Sequence, residues 1–395
     1  MVLPRLLSWQ RGTRRAAAAA ALGLLAGWAV LSGCRAAVPA NDPPFVWTLP
    51  AGFPEPRVPA DEPMSAAKVD LGRHLFYDRR LSGNGTQSCS SCHIQALAFT
   101  DGRGQAIGST GERHPRGSLS LANVAYQPVL TWANPVLRDL NKQAVIPMFG
   151  EFPVELGLKD DGRYLADLAN DTTYQRLFRQ AFPRTSAVTL GLVTRALAAF
   201  QRTLISGDSP VDRARRGERA LDDLARRGQE LFQSDRLGCA RCHRGLTFSS
   251  AFDHAGLEAP EVAFHNNGLY NVGGTGAYPY PNTGLVQFTE DSSDMGRFKA
   301  PTLRNIALTA PYMHDGSLAT LDKVIDHYAA GGRTVRTGPD AGVGRTSRFK
   351  SPLVTGFRVT PAERRALIAF LVALTDSTFI TDPRFSDPWI APRLP

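Results

Sequence analysis

The sequence has little cysteine, methionine or tryptophan, five of each in 395 residues. Cys34 stands alone, and the other four cysteines fall in two Cys-x-x-Cys-His units, so none is left for a structural disulfide. Strand-like alternation is scarce, which leaves a mainly α fold with long loops. Charge of one sign is also limited: the formal +9 falls to +5 once the four arginines before residue 34 are set aside, so no nucleic-acid partner is expected. The arginine-rich "RARRGERALDDLARRG" alternates sign at helical spacing and reads as a solvated helix face.

What is present begins with a leader. Arg5, Arg11, Arg14 and Arg15 precede the apolar run "AAAAAALGLLAGWAVL", which closes on "LSGC". This predicts an export signal over 1–33 with a lipoprotein-type cleavage site, and a mature chain lipid-anchored through Cys34 and facing the bacterial periplasm. An ordinary signal peptide or a retained anchor is the alternative. Residues 34–60 are proline-rich and read as a tether along the surface.

Beyond the tether the chain repeats itself. "EPMSAAKVDLGRHLFYD" predicts a helix capped by Ser65, with Val69, Gly72, Leu75 and Phe76 on one face. "LDDLARRGQELFQS" matches it through Gly228, Leu231 and Phe232. Each copy leads into a loop and a Cys-x-x-Cys-His unit: Cys89, Cys92 and His93, then Cys239, Cys242 and His243. An aromatic follows each histidine, Phe99 and Phe248. With a length too great for one ordinary core, this implies two related domains, 61–212 and 213–380, and a tail over 381–395.

Two thiols one helical turn apart with a histidine beside them suit covalent attachment to the vinyl groups of a haem, the imidazole binding iron. A zinc ion shared by both pairs is the rival. The histidine directly after each pair, the leader and the repeat of the whole unit favour two c-type haems.

"LGRHLFYDRRLSGNGTQSCSSCH" and "FKAPTLRNIALTAPYMHDGS" resemble the bacterial di-haem cytochrome c peroxidase and MauG family over about residues 61–376, with the MbnH-type enzymes nearest. The resemblance implies two c-type cytochrome domains related by a pseudo-twofold axis. It implies that hydrogen peroxide reacts at the His93 haem, with Gln143, Pro147 and Glu155 in its pocket and Trp132 between the haems. The "PVELG" frame selects Glu155 over Glu151. His114 is a weaker candidate for a distal ligand, against a loop histidine in solvent. Tyr328, fourteen residues beyond His314, falls where MauG has a tyrosine ligand to the second iron. Leu321, Val324, Ile325 and Tyr328 form one helical stripe between Thr320 and Gly331, and Met313 or Met295 would replace Tyr328 only in another register. The family's calcium ion would be held by the Thr309 and Pro311 carbonyls, although Gly117 stands where its asparagine is expected. Arg304 would serve a haem propionate.

The expected function is therefore a peroxidase-type oxidoreductase that uses peroxide to form a high-valent di-haem state and oxidises an aromatic residue, a Trp, of a partner protein. A cytochrome c peroxidase fed by a small carrier protein is the alternative enzyme. A non-catalytic di-haem electron carrier is the alternative outside catalysis.

Overall fold

The computed structural model describes residues 45–390, so the leader, Cys34 and the start of the tether lie outside the described residues. Among the described residues no helix is long and apolar enough to cross a membrane.

The helices, in chain order, are α1 (Ala66–Tyr77), α2 (Cys89–Cys92), α3 (Leu140–Phe149), α4 (Arg163–Asn170), α5 (Thr172–Ala181), α6 (Leu190–Arg202), α7 (Pro210–Arg215), α8 (Asp223–Gln233), α9 (Val286–Thr289), α10 (Leu321–Ala329) and α11 (Pro361–Val372). Among the described residues, strand is confined to two antiparallel pairs of two-residue strands, β1 (Phe264–His265) with β2 (Phe298–Lys299) and β3 (Thr334–Val335) with β4 (Gly342–Val343).

α1 begins where the sequence sets it, since the Ser65 side chain accepts a hydrogen bond from the Lys68 N–H and satisfies a free first-turn donor. It buries Leu71, Gly72, Leu75 and Phe76 against α6. α8 repeats this against α11 with Ala225, Gly228, Leu231 and Phe232. Both crossings need glycine: a Cβ on Gly72 would stand 1.9 Å from the Ala196 carbonyl oxygen, and one on Gly228 would stand 1.9 Å from that of Ala366. Phe76 then meets Phe200 at 5.2 Å between ring centroids, and Phe232 meets Phe370 at 5.1 Å.

The repetition continues after each Cys-x-x-Cys-His unit. Phe99 and Phe248 both have positive φ, 62° and 50°. Ser120 donates its hydroxyl to the Ala98 carbonyl at 2.7 Å, and Thr302 donates to that of Thr247 at 2.6 Å. Fully buried Asn123 and Asn305 then take left-handed conformations, which asparagine tolerates better than most residues, and each opens a short 3₁₀ turn. Each asparagine side chain also caps a backbone N–H beyond its own lobe's last long helix, Ser206 at 3.0 Å and Asp376 at 2.8 Å. Asn305 further donates to the Ser206 hydroxyl at 3.0 Å, which joins the two copies.

Two apolar cores result, one built on Leu71, Leu75, Phe76, Leu197 and Phe200, the other on Leu231, Phe232, Leu367, Phe370 and Leu374. The ends of the described segment bind these cores more closely than a tether and a tail would. Phe53 is buried, the Tyr126 hydroxyl donates to the Pro54 carbonyl, and Arg57 forks onto Asp253 at 2.9 and 3.0 Å. Phe379 and Phe385 return to the first core, and the Trp389 indole N–H donates to the His74 carbonyl at 3.1 Å.

Candidate active site

Each Cys-x-x-Cys-His unit lines its own cavity. The first, about 280 Å³, is walled by Cys89, Cys92, His93, His114, Trp132, Gln143, Pro147 and Glu155, with apolar Phe76, Leu121 and Leu197. The second, about 220 Å³, is walled by Cys239, Cys242, His243, Met313 and Tyr328, with Phe232, Leu321, Ile325 and Leu371. The two thiol pairs thus face different spaces, and among the described residues no group of three or more His, Cys, Asp or Glu comes together to hold a metal. A shared zinc has no ligand set.

The proximal histidines are aimed alike. His93 Nδ1 donates to the Phe99 carbonyl at 2.8 Å and His243 Nδ1 to that of Phe248 at 3.2 Å, which leaves Nε2 as the metal-binding nitrogen. Burial lowers both imidazole pKa values, His243 to about 4, so both rings are neutral and can ligate. Burial pushes the thiols the other way, Cys89 to about 12 and Cys92 and Cys239 to about 11, which makes a dithiol redox couple unsuitable. An apolar slot with two thiols and a neutral, oriented imidazole fits a c-type haem in both places.

Comparison with known proteins decides the family. A family profile, "Di-haem cytochrome c peroxidase", matches residues 66–220. The cytochrome-c peroxidase IdrP1 of Denitromonas iodatirespirans is 35% identical over 93% of this chain and 95% of its own. The methylamine utilization protein MauG of Methylorubrum extorquens is 34% identical over 82% of each chain. A crystal structure of a MauG-like protein associated with microbial copper homeostasis superposes with a TM-score of 0.86 at 49% identity, covering 88% of this chain and all of that one. The chain belongs to the di-haem cytochrome c peroxidase and MauG family. Its relatives are peroxidase-type oxidoreductases, and membership implies two haem c groups.

The first site of this family member gathers the residues expected of it. Glu155 enters the cavity wall, whereas Glu151 is exposed and does not line it. The Glu155 carbonyl accepts from the Ser109 N–H at 2.7 Å, and the next residue, Leu156, donates its N–H to the Pro147 carbonyl at 2.8 Å, so the loop is strapped to α3. Burial raises the Glu155 carboxyl above the ordinary glutamate range. His114 is not a solvent histidine: it lines the same cavity, with Nε2 3.9 Å from Glu155 Oε1. Trp132 lines both cavities, its indole N–H donating to the Gly117 carbonyl at 3.0 Å. Gly117, Thr309 and Pro311 share the first cavity's wall, but Gly117 brings no side-chain oxygen and its carbonyl is engaged by Trp132.

Arg304 has a partner within the chain. Its buried guanidinium forks onto Asp212 at 2.7 and 2.9 Å, and Nε donates to the Leu246 carbonyl, while the residue also lines the first cavity. Burial alone would raise the Asp212 carboxyl, yet the hydrogen bonds and charge of Arg304 hold it below the usual range.

One cation in both cavity walls with no carboxylate partner among the described residues is Lys299, which no sequence motif marks. It is buried between the cavities and lines both; its Nζ donates to the Val129 carbonyl at 2.6 Å, and burial lowers its pKa to about 7. The available signal was a lysine inside the apolar start of "FKAPTL".

α3 and α10 occupy matching places in the repeat, each lying between the 3₁₀ turn and the last long helix of its lobe and packing on that helix. Both begin with leucine after a capping position. Their first, fourth, fifth and eighth residues face the cavities: Leu140, Gln143, Ala144 and Pro147 in the first, Leu321, Val324, Ile325 and Tyr328 in the second. Pro147 therefore stands where the other lobe has Tyr328. The Asn267 amide lies 3.4 Å from both Tyr328 Oη and Met313 Sδ.

Proposed function

We propose that the chain reacts with hydrogen peroxide at the His93 site and oxidises an aromatic side chain, a tryptophan, of a partner protein. The observation that carries this reading is the contrast between the two matched helix faces. Pro147 offers no donor atom to the first cavity, while Tyr328 offers a phenol to the second.

When bound, the two haems provide the irons that meet peroxide and hold its oxidising equivalents. The chain's part is proton management and wiring. Glu155, with its raised pKa, takes the proton from one oxygen of hydrogen peroxide and returns it to the other, so that the O–O bond breaks with water as the leaving group. His114 Nε2, 3.9 Å from Glu155 Oε1, is beyond direct hydrogen-bond range and would exchange a proton with it only through a bridging water, and Gln143 hydrogen-bonds the peroxide. Trp132 couples the two sites, which its position on both cavity walls supports. A Tyr328 phenolate is a hard, anionic ligand that favours highly oxidised iron, where a thioether would favour the ferrous state. Lys299 would be available to a carboxylate of a bound haem, having none among the described residues. A calcium ion needs six to eight oxygens, and the Thr309 and Pro311 carbonyls are two; no step depends on it. Anchoring through Cys34 in the periplasm belongs to the same reading.

The second reading is a cytochrome c peroxidase. It is favoured by Met313, which reaches the same cavity and the same Asn267 amide as Tyr328. Tyr328→Phe separates them. Loss of the low-spin signal of the second haem, together with loss of peroxide-dependent oxygen incorporation into a tryptophan of the protein encoded by the adjacent gene, supports the first. An unaltered low-spin signal with rapid oxidation of a reduced carrier cytochrome supports the second.

A further inference from the structure

Aromatic rings continue beyond Trp132, the next two, His314 and Phe298, lining the second cavity. The Trp132 ring lies 6.4 Å from the His314 ring, and His314 stacks on Phe298 at 3.9 Å with the planes 13° apart. Tyr278 follows, 6.2 Å from Phe298 and 6.4 Å from His314, and Tyr270 lies 5.5 Å from Tyr278. Except for His314, all belong to one apolar cluster. An electron can cross such a series in short steps.

The two tyrosines differ in what their hydroxyls meet. Tyr278 donates to the Asn266 side-chain carbonyl at 2.9 Å and accepts from the Leu269 N–H at 3.1 Å, and an amide oxygen is a very poor base. Tyr270 donates to Asp315 Oδ2 at 2.8 Å and accepts from Arg333 Nη1 at 3.1 Å, with the guanidinium 5.3 Å from its ring centroid. Asp315 is held as an acceptor, its Oδ1 receiving the Ser317 N–H at 3.0 Å. Burial and the Asp315 charge push the Tyr270 phenol up to about 12, so at neutral pH the proton rests on the tyrosine. A phenol that loses an electron becomes a strong acid. It gives up the electron at moderate potential only when a base is already in place, and here the base is hydrogen-bonded.

We propose that Tyr270, with Asp315 and Arg333, is an internal redox-active site that holds one oxidising equivalent away from the haems. When peroxide has oxidised the haem centre and no partner donates, one electron leaves Tyr270 through Tyr278 and the His314–Phe298 stack to Trp132 and the haems. The phenolic O–H bond breaks, its proton forms an O–H bond on Asp315, and the haem centre is reduced by that electron. The site rests on the family's peroxide reaction and not on the partner-oxidation reading. A second tyrosine, Tyr174, has the same kind of surroundings, donating to Asp78 at 2.6 Å beside Arg80, but among the described residues its ring neighbours are Phe178 and Trp389 and no ring contact links it to Trp132. It is the built-in control.

The test mixes the holoprotein, carrying ring-deuterated tyrosine, with one equivalent of peroxide and follows it by freeze-quench paramagnetic resonance and by the Soret band. A tyrosyl signal that narrows with the label, is lost in Tyr270→Phe and in Asp315→Asn, and persists in Tyr174→Phe is the expected result. A spin-trap adduct mapped to Tyr270 by mass spectrometry supports it in the unmutated protein, whatever the variants' folding. A signal undiminished in Tyr270→Phe, or lost with Tyr174→Phe, overturns the site. So does a Soret change without any tyrosyl signal, which leaves the peroxide reaction intact, whereas absence of any Soret change brings both down together.

Discussion

Replacing Glu155 by glutamine tests the proton relay with little other disturbance. The Glu155 main chain is fixed by the Ser109 hydrogen bond, and the neighbouring Leu156 by those to Pro147 and Gly83, so the amide should occupy the space of the carboxylate. The side chain is 34% exposed and makes no close ion pair, so the change in folding stability should stay within about 0.5 kcal/mol. Removing a general acid-base group costs about 10²- to 10⁴-fold, or about 2.7–5.4 kcal/mol of barrier at 1.36 kcal/mol per decade. Stopped-flow spectroscopy of the holoprotein with peroxide measures this directly. The pH profile gives a second readout. Glu155 acts as a base when ionised, so the parent rate should rise with pH through its pKa, which burial places above the ordinary 4.5. The same shift has a stability sign: a carboxyl with a raised folded pKa favours the fold when protonated, and that contribution is lost as pH rises from 4.5 through the folded value. Glu155→Gln should abolish the acid limb, and a His114→Gln variant should keep it. An unchanged rate and an unchanged limb in Glu155→Gln would refute the relay.

Three further outcomes follow from the same geometry. Pro147→Tyr puts a phenol at the place Tyr328 holds in the other lobe, so the first haem, expected to be high-spin at rest because Pro147 offers no ligating atom, should turn low-spin and the peroxide reaction slow; a persistent high-spin signal would break the equivalence. Lys299→Met removes a buried positive charge from the wall of both cavities, and spectroelectrochemistry should find both haem potentials lowered together, whereas a shift at neither would show the ammonium to be discharged. Gly228→Ala forces a methyl to within 1.9 Å of the Ala366 carbonyl and 2.8 Å of the Phe370 Cβ, and should destabilise the protein to denaturant by about 1–3 kcal/mol or more; a loss under about 0.5 kcal/mol would mean the crossing is loose.

Much of this architecture could be read in the sequence because it is written twice. Gly72 with Leu75 and Phe76, and Gly228 with Leu231 and Phe232, are constrained by a helix crossing, and such spacing survives in any copy of the unit. Two further matches went unread although the residues carry them plainly: "SLANVA" with "TLRNIA", whose asparagines cap across the lobe, and "RALAAF" with "RALIAF", whose alanines receive the glycine faces. What no pattern could reveal depends on distant pairs. Arg304 finds Asp212 across 92 residues, and nothing local to "PTLRN" distinguishes that carboxylate from a propionate. The register of His114 does not match a distal-ligand position, and only the folding of the 153–158 segment against α3 brings Glu155 near it.

The repeat also explains how one chain makes two unlike sites. The parts that grip a haem are duplicated almost without change: two thiols, a histidine oriented by the carbonyl of a left-handed phenylalanine, and a hydroxyl-bonded loop leading to a buried asparagine. The parts that decide reactivity sit on one helix face per lobe. On that face Gln143 gives the first cavity one amide, and Pro147 leaves no ligating atom at the position that Tyr328 holds in the other lobe, in a cavity of about 280 Å³. Val324, Ile325 and Tyr328 make the second apolar and place a phenol in it, at about 220 Å³. In the proposed reading, these matched helical positions distinguish the site that takes peroxide from the one that carries the phenol. Because the surrounding crossings tolerate no Cβ at Gly72 or Gly228, the lobes keep their frames, and that difference falls on the pocket and not on the fold.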